Sequence, residues 1–319
     1  MMNRSQSAFK LIDVFMDKKQ NDAVEYSGIK IDKDIPYSDY SIDTTGDIYV
    51  REDLFAKGEK LPVVLNIHGG GFVMGDKQYR YGISSWWADK GYIVYNISYR
   101  LSPDVYFPEN LVDLADALNH LKVLAEDYPM DLSKLVITGD SSGGYSAAYL
   151  TALAFNDDLR KEIVEKSEIE IAPIQLKPAL CVPCCGIYDI KTLLNTRMPF
   201  KLIPVTAKTY TGYPIQNDLS NINDYPLYDY LSPINFVSKD WCKVFLIWTW
   251  SDLICVDQGR PMYNAVCRKI GKKNLGYYAA DGLLNNHCFH LNQDTEESKK
   301  ALAALAAFAA DALDYHPNI

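Results

Sequence analysis

A serine flanked by glycines offers the first chemistry in this chain. Gly139-Asp-Ser-Ser-Gly-Gly144 carries the spacing G-x-S-x-G through Gly139, Ser141 and Gly143. It follows the apolar run Leu135–Thr138 and opens a stretch rich in small residues, among them Ala147, Ala148, Ala152 and Ala154. Glycines on both sides permit a strand-to-helix turn too tight for neighbouring Cβ atoms, and such a turn lifts a serine hydroxyl above the sheet edge where a base can reach it. A helix beginning beneath it favours developing negative charge. Two other readings share the motif. Gly139 to Gly144 nearly spells a phosphate-binding loop, but Tyr145 stands where that loop requires lysine. A glycine-rich connection with no chemistry is the plainer alternative.

His68-Gly-Gly-Gly-Phe72 is the second signal, placed directly after the apolar run Pro62–Ile67. Three consecutive glycines cost chain entropy, so a backbone task is expected there. Acyl transfer supplies one: its tetrahedral oxyanion is stabilised by fixed N–H donors, and glycines let those donors face a substrate unobstructed. His68 is read as a buttress of this loop rather than a proton carrier.

Together, His68-Gly-Gly-Gly-Phe72 and Gly139-Asp-Ser-Ser-Gly-Gly144 resemble the hormone-sensitive-lipase-like, HGGG-motif family of α/β-hydrolase esterases. Tyr99-Arg-Leu-Ser-Pro103, followed by Phe107-Pro108, is similar to that family's Tyr-Arg-Leu-Ala-Pro stretch. The resemblance runs from about residue 46 to the last helix. Ser142 departs from the family's usual alanine after the nucleophile, and Trp248–Leu253 lacks its common Asp-Pro-Leu. The first departure is tolerable because the donor at that position is a backbone N–H.

The resemblance implies an α/β-hydrolase fold and a triad in the chain order Ser, acid, His. Of five histidines, His68 and His120 come too early and His316 lies in the C-terminal tail. His287 and His290 remain, and the family's His-x-Phe maps onto His287-Cys288-Phe289, favouring His287 as general base and acid with His290 as the alternative. Asp252 lies just past the end of the apolar run Lys243–Trp250, where ligands bind in open α/β sheets, and it matches the family's acid position. Its task would be to hold the imidazole tautomer. Asp257 is the alternative acid, read as lying inside the following helix, and helix capping is the alternative role for Asp252. The implied catalytic set is therefore Ser141, Asp252 and His287, with Gly70, Gly71 and Ser142 as oxyanion donors and no cofactor or metal.

Positioning these groups requires alternating strands and helices. Short apolar runs at Pro62–Ile67, Gly91–Ile97, Lys134–Thr138 and Lys243–Trp250 read as strands covered on both faces. Helical patterns fall at about 78–89, 109–126, 143–155 and 258–271, and Tyr277–Ala280 reads as a last strand. This predicts a mostly parallel central sheet with helices on both faces, in one domain spanning 1–319. Further strands are expected at Val24–Ile31 and Asp47–Arg51, an amphipathic helix over 1–22, and a closing helix from about 295 capped by Asp294 with Glu297 reaching back. Residues 1–45 and the Tyr-rich stretch at about 190–235 are read as cap or lid elements.

Composition narrows the partners. The 319 residues are 48% hydrophobic and 23% charged with a net charge of −9, an ordinary globular mixture. An acidic chain without a basic block is a poor nucleic-acid binder. Seven cysteines form an odd, sparse set that suits free thiols in a reducing compartment. The C-x-x-C spacing at Cys181, Cys184 and Cys185 lacks the further ligands of a zinc site. Without a signal peptide or a membrane-spanning run, the chain reads as cytoplasmic; a homodimer is compatible with the sequence. The resemblance implies hydrolysis of small, short-acyl (acetyl-like) esters through an acyl-enzyme on Ser141. An amidase or formamidase using the same triad is the alternative, and a non-catalytic ligand receptor is a further one.

Overall fold

The computed structural model describes residues 25–194, 202–282 and 284–317. The helix expected over 1–22 lies outside them. The chain begins with two strands, β1 (Ile29–Pro36) and β2 (Thr45–Arg51), then a short helix α1 (Glu52–Lys57) and β3 (Leu61–Ile67). Helix α2 (Tyr81–Asp89), β4 (Ile93–Ile97), α3 (Glu109–Asp127) and β5 (Met130–Asp140) follow, and β5 runs straight into α4 (Ser142–Phe155). Next come α5 (Asp157–Ser167), β6 (Leu180–Cys184), α6 (Ile190–Leu194) and α7 (Leu202–Thr211). The last part holds β7 (Lys243–Thr249), α8 (Gly259–Ile270), β8 (Leu275–Ala280) and α9 (Glu296–Leu313).

These strands form one sheet in the order β1-β2-β4-β3-β5-β6-β7-β8. The pairs β1–β2 and β2–β4 are antiparallel, and every pair from β4 to β8 is parallel. The parallel strands read as unbroken apolar runs because helices cover both of their faces. One face packs against α3, α4 and α8 through residues such as Leu65, Ile137, Leu118 and Val266. The other packs against α2 and α9 through Val64, Val136, Trp87 and Leu305.

Two expectations need correction. The first strand is Ile29–Pro36 rather than Val24–Ile31, so these residues, read as part of a cap, form the sheet edge instead. An edge strand is hydrogen-bonded on one side only and tolerates charges such as Lys30, Asp32 and Asp34, which hide its periodicity; a register shift between Asp32 and Ile35 breaks it further. The closing helix is capped by Thr295, whose side chain accepts the N–H of Ser298, not by Asp294. Glu297 accepts from the Tyr278 hydroxyl at 2.8 Å.

Central strand β3 carries the glycine loop at its end, and Leu65 in its middle is fully buried. Leu65→Ala is expected to cost about 2–5 kcal/mol, read as a lower urea midpoint at unchanged slope.

Candidate active site

Neighbouring parallel strands β3 and β5 pair with Ile67 opposite Gly139, so the loops that follow them leave the sheet at the same level. One loop carries His68 to Gly71 and the other carries Ser141. Ser141 adopts φ 55° and ψ −121°, a conformation that costs a side-chain-bearing residue roughly 1–3 kcal/mol. Its N–H donates to the Cys184 carbonyl at 2.9 Å and its carbonyl accepts from Tyr145 N–H at 3.0 Å, which holds the strain in place. The flanking glycines are needed for space. A methyl on Gly143 would lie 2.1 Å from the Ile67 oxygen, and one on Gly139 would lie 2.5 Å from the same atom.

The structure brings Ser141, His287 and Asp252 together. Ser141 Oγ lies 2.9 Å from His287 Nε2, and His287 Nδ1 lies 2.9 and 3.1 Å from the Asp252 carboxylate oxygens. A carboxylate only accepts, so Nδ1 carries the ring proton and donates to Asp252, leaving Nε2 to accept from the serine hydroxyl. Asp252 is buried, which by itself raises its pKa. The adjacent His287 and the N–H groups of Cys255 and Ile254 outweigh burial and hold the carboxyl below its ordinary value. Those two N–H groups reach Asp252 Oδ1 at 2.7 and 2.9 Å. Asp252 thus both caps its own turn and faces the imidazole.

The alternatives are placed elsewhere. Asp257 is exposed, with φ 53°, and stands before α8 rather than inside it. His290 is buried beside Asp140, its Nδ1 has no partner, and burial lowers its pKa to about 4. Cys288, between the two histidines, has φ 55° and turns the chain so that they part. His68 lies under the glycine loop: its Nδ1 donates to the Gly69 carbonyl at 2.8 Å and its ring stacks on Tyr99 at 4.5 Å. The Tyr99 hydroxyl donates to the His68 carbonyl at 2.9 Å. Burial brings His68 to a pKa of about 4, so it stays a neutral prop.

Gly70 and Gly71 have φ of 137° and 61°. Among the described residues, the hydrogen bonds outside regular elements use neither their N–H groups nor that of Ser142. Gly71 and Ser141 line the same cavity, and Ser142 follows the serine directly. This apolar cavity of about 70 Å³ opens beside the serine, walled by Ile187, Ile190, Leu193, Tyr210, Leu231 and Ile254. Most of this wall comes from the stretch at 190–235. Tyr210 stacks on Phe72 of the glycine loop at 3.9 Å.

Several supporting residues were not evident in the sequence. Gln258 is buried, and its Oε1 accepts the N–H groups of Tyr188 and Asp189, both at 2.8 Å, tying the β6 and β7 loops together. Arg80 is buried against Asp140, the residue before the serine. A carboxylate ending a buried strand signals that a cation must lie near, without identifying which. As metal donors, the described residues offer Asp252, Cys255 and His287, with ligand atoms within 4.8 Å of one another. Burial pushes the Cys255 thiol well up, and Asp252 and His287 are already bonded to each other, so the set is poorly suited to an ion. Cys181 and Cys184 are buried free thiols within β6.

The chain matches the BD-FAE family model over residues 47–265. It is 27% identical over 274 residues to a probable carboxylic ester hydrolase, LipM, of Mycobacterium tuberculosis, covering 85% of this chain and 59% of that protein. It is also 27% identical to esterase LipQ of the same organism, covering 76% of this chain and 54% of the relative. The chain thus spans little more than half the length of these curated relatives. The crystal structure of esterase B from Lactobacillus rhamnosis superposes with a TM-score of 0.77 at 20% identity, covering 97% of this chain and 94% of the other. That likeness shows the α/β-hydrolase fold. No helix among the described residues is long and apolar enough to cross a membrane.

Because a methyl at residue 143 would enter the Ile67 carbonyl, Gly143→Ala is expected to lower both the melting temperature and the hydrolytic rate. Wild-type melting and rate together would show that the turn tolerates a Cβ.

Proposed function

The chain belongs to the BD-FAE family, a hormone-sensitive-lipase-like esterase family, and from that premise we propose that it is a serine carboxylesterase acting on small esters with short acyl chains. The observation that carries the reading is the unbroken hydrogen-bonded series from Ser141 through His287 to Asp252, at the mouth of an apolar cavity.

In this mechanism Ser141 Oγ attacks the ester carbonyl while His287 Nε2 takes its proton. Asp252 keeps the Nδ1 proton in place and offsets the imidazolium charge. The carbonyl oxygen becomes an oxyanion, held by the N–H groups of Gly70, Gly71 and Ser142. The start of α4 adds its positive end beneath the same point. Collapse breaks the bond to the alcohol, which leaves with the proton from His287. Water then attacks the acyl-enzyme, with His287 again taking a proton, and the carboxylic acid departs as Ser141 regains its hydrogen.

The cavity supports the acyl preference. Its wall of Ile187, Ile190, Leu193, Leu231 and Ile254 offers no charge to a substrate. At about 70 Å³ the cavity is small, which suits a short acyl chain. The segments α6 and α7 supply much of that wall and act as the lid in this reading. Where the acyl chain is a formyl or the leaving group an amine, the same series of steps applies; an aryl formamide compared with an acetyl ester distinguishes the two.

Ser141→Ala is expected to abolish hydrolysis of p-nitrophenyl acetate and labelling by a fluorophosphonate probe. Retained activity in that variant, or an unlabelled wild-type protein, would refute the assignment. Asp252→Asn should lower kcat about 10³–10⁴-fold with little effect on KM. Across p-nitrophenyl esters from acetate to octanoate, kcat/KM should peak at short chains and drop by octanoate; a rate still climbing at octanoate contradicts the acyl-length reading.

A further inference from the structure

We propose that Arg80 and Asp140 form a buried strap holding the glycine loop in register with Ser141, which makes Arg80 a positioning residue for the oxyanion donors; this rests on the serine-esterase reading. The donors come from two separate pieces of chain, Gly70 and Gly71 after β3 and Ser142 at the head of α4. Strand pairing fixes their relative position only as far as Ile67 opposite Gly139. Beyond that point β3 has ended while β5 runs one residue further against β6, at Asp140 opposite Cys184, so the two loops need another link to each other. A donor displaced by a fraction of an ångström loses most of its value to a transition state.

Asp140 is where the two loops touch. A methyl on Gly69 would lie 2.5 Å from Asp140 Oδ2 and 2.9 Å from Ser141 Cβ, so the carboxylate and the glycine loop are in direct contact. Arg80 ends the short turn Lys77–Arg80, which closes the segment that begins with the glycines. Its Nη2 donates to Asp140 Oδ2 at 2.6 Å, and its Nε donates to Oδ1. Its Nη1 reaches the Tyr79 carbonyl at 3.1 Å. Asp140 and Arg80 are 3% and 9% exposed.

A guanidinium fork fixes the orientation of a carboxylate as well as its charge, which lysine cannot do. The strap extends to the third loop of the site. Cys288, next in sequence to His287, approaches Asp140 Oδ2 with its thiol at 3.8 Å. Arg80 bonds to Asp140 and to the Tyr79 carbonyl. Through Asp140 the guanidinium is linked to the glycine backbone at Gly69.

The test uses the full chain with Arg80→Lys, Arg80→Met and Asp140→Asn, the last of these keeping the shape of the side chain. Steady-state kinetics on p-nitrophenyl acetate are paired with inhibition by a trifluoromethyl ketone, whose hemiketal oxygen occupies the oxyanion position. Expected is a fall in kcat of about 10–100-fold, with KM within about threefold. The inhibitor should weaken in proportion to kcat/KM, measured well below each variant's melting temperature. Folded variants with wild-type kcat and inhibition overturn the strap. So does a lower kcat with unchanged inhibition, because the oxyanion donors would then be undisturbed. Failure of all three variants to fold also overturns it, assigning the pair to stability alone. Fluorophosphonate labelling of the wild type separates these results from failure of the esterase reading, since the strap can fail while Ser141 still labels.

Discussion

Adjacent parallel strands in the register Ile67 opposite Gly139 impose the condition on which the site depends. Side by side at the C-terminal edge of the sheet, two chains must turn away at the same height, one carrying a hydroxyl and the other a row of N–H donors. The gap between them is too small for side chains: Gly143 and Gly139 both pack against the Ile67 carbonyl, and Gly69 packs against Asp140. Ser141 pays for this proximity with a strained backbone at φ 55°. The bonds of its own N–H and carbonyl to Cys184 and Tyr145 make the strained form the one that persists.

Electrostatics follow from the same crowding. The imidazole of His287 can serve Ser141 only while its proton stays on Nδ1, and Asp252 enforces that because an ionised carboxylate cannot donate. Ionisation at a buried position is unfavourable alone, so the turn contributes two N–H donors from Ile254 and Cys255. His68 and His290 show the opposite outcome. Burial without a carboxylate bonded to the ring keeps each of them neutral down to a pKa of about 4. Three histidines in one region thus differ in function through their partners rather than their type.

Legibility in the sequence tracked how local each constraint is. Gly139, Ser141, Gly143 and the glycines after His68 announce themselves because a tight turn needs its residues within a few positions. The apolar runs of β3, β4, β5 and β7 were readable because burial on both faces leaves no polar alternation. Edge strand β1 was misplaced because one-sided pairing admits charges, and the Thr295 cap was misassigned to the neighbouring Asp294. His287 and His290, three places apart, were separated by the resemblance rather than by local pattern; what parts them is the αL turn at Cys288. Arg80 facing Asp140, and Gln258 holding the Tyr188 turn, are long-range pairings that leave no mark on spacing.

This division has a consequence for what varies independently in such a molecule. The reacting groups stand on loops at strand ends, whose spacing is fixed by sheet register. The cavity wall is built largely from α6, α7 and the turns around Ile222 and Leu231, in a segment whose described residues contribute no strand to the sheet. Residues there can change in size without altering the distance between Ser141 and His287, because nothing in the β3–β5 register passes through them. One contact between the two parts is the stacking of Tyr210 on Phe72, one residue beyond the glycines. A change in the wall at Tyr210 therefore bears on the loop that carries Gly70 and Gly71. The groups at the strand ends and the cavity wall are different physical parts, and only the first of these is written in a motif.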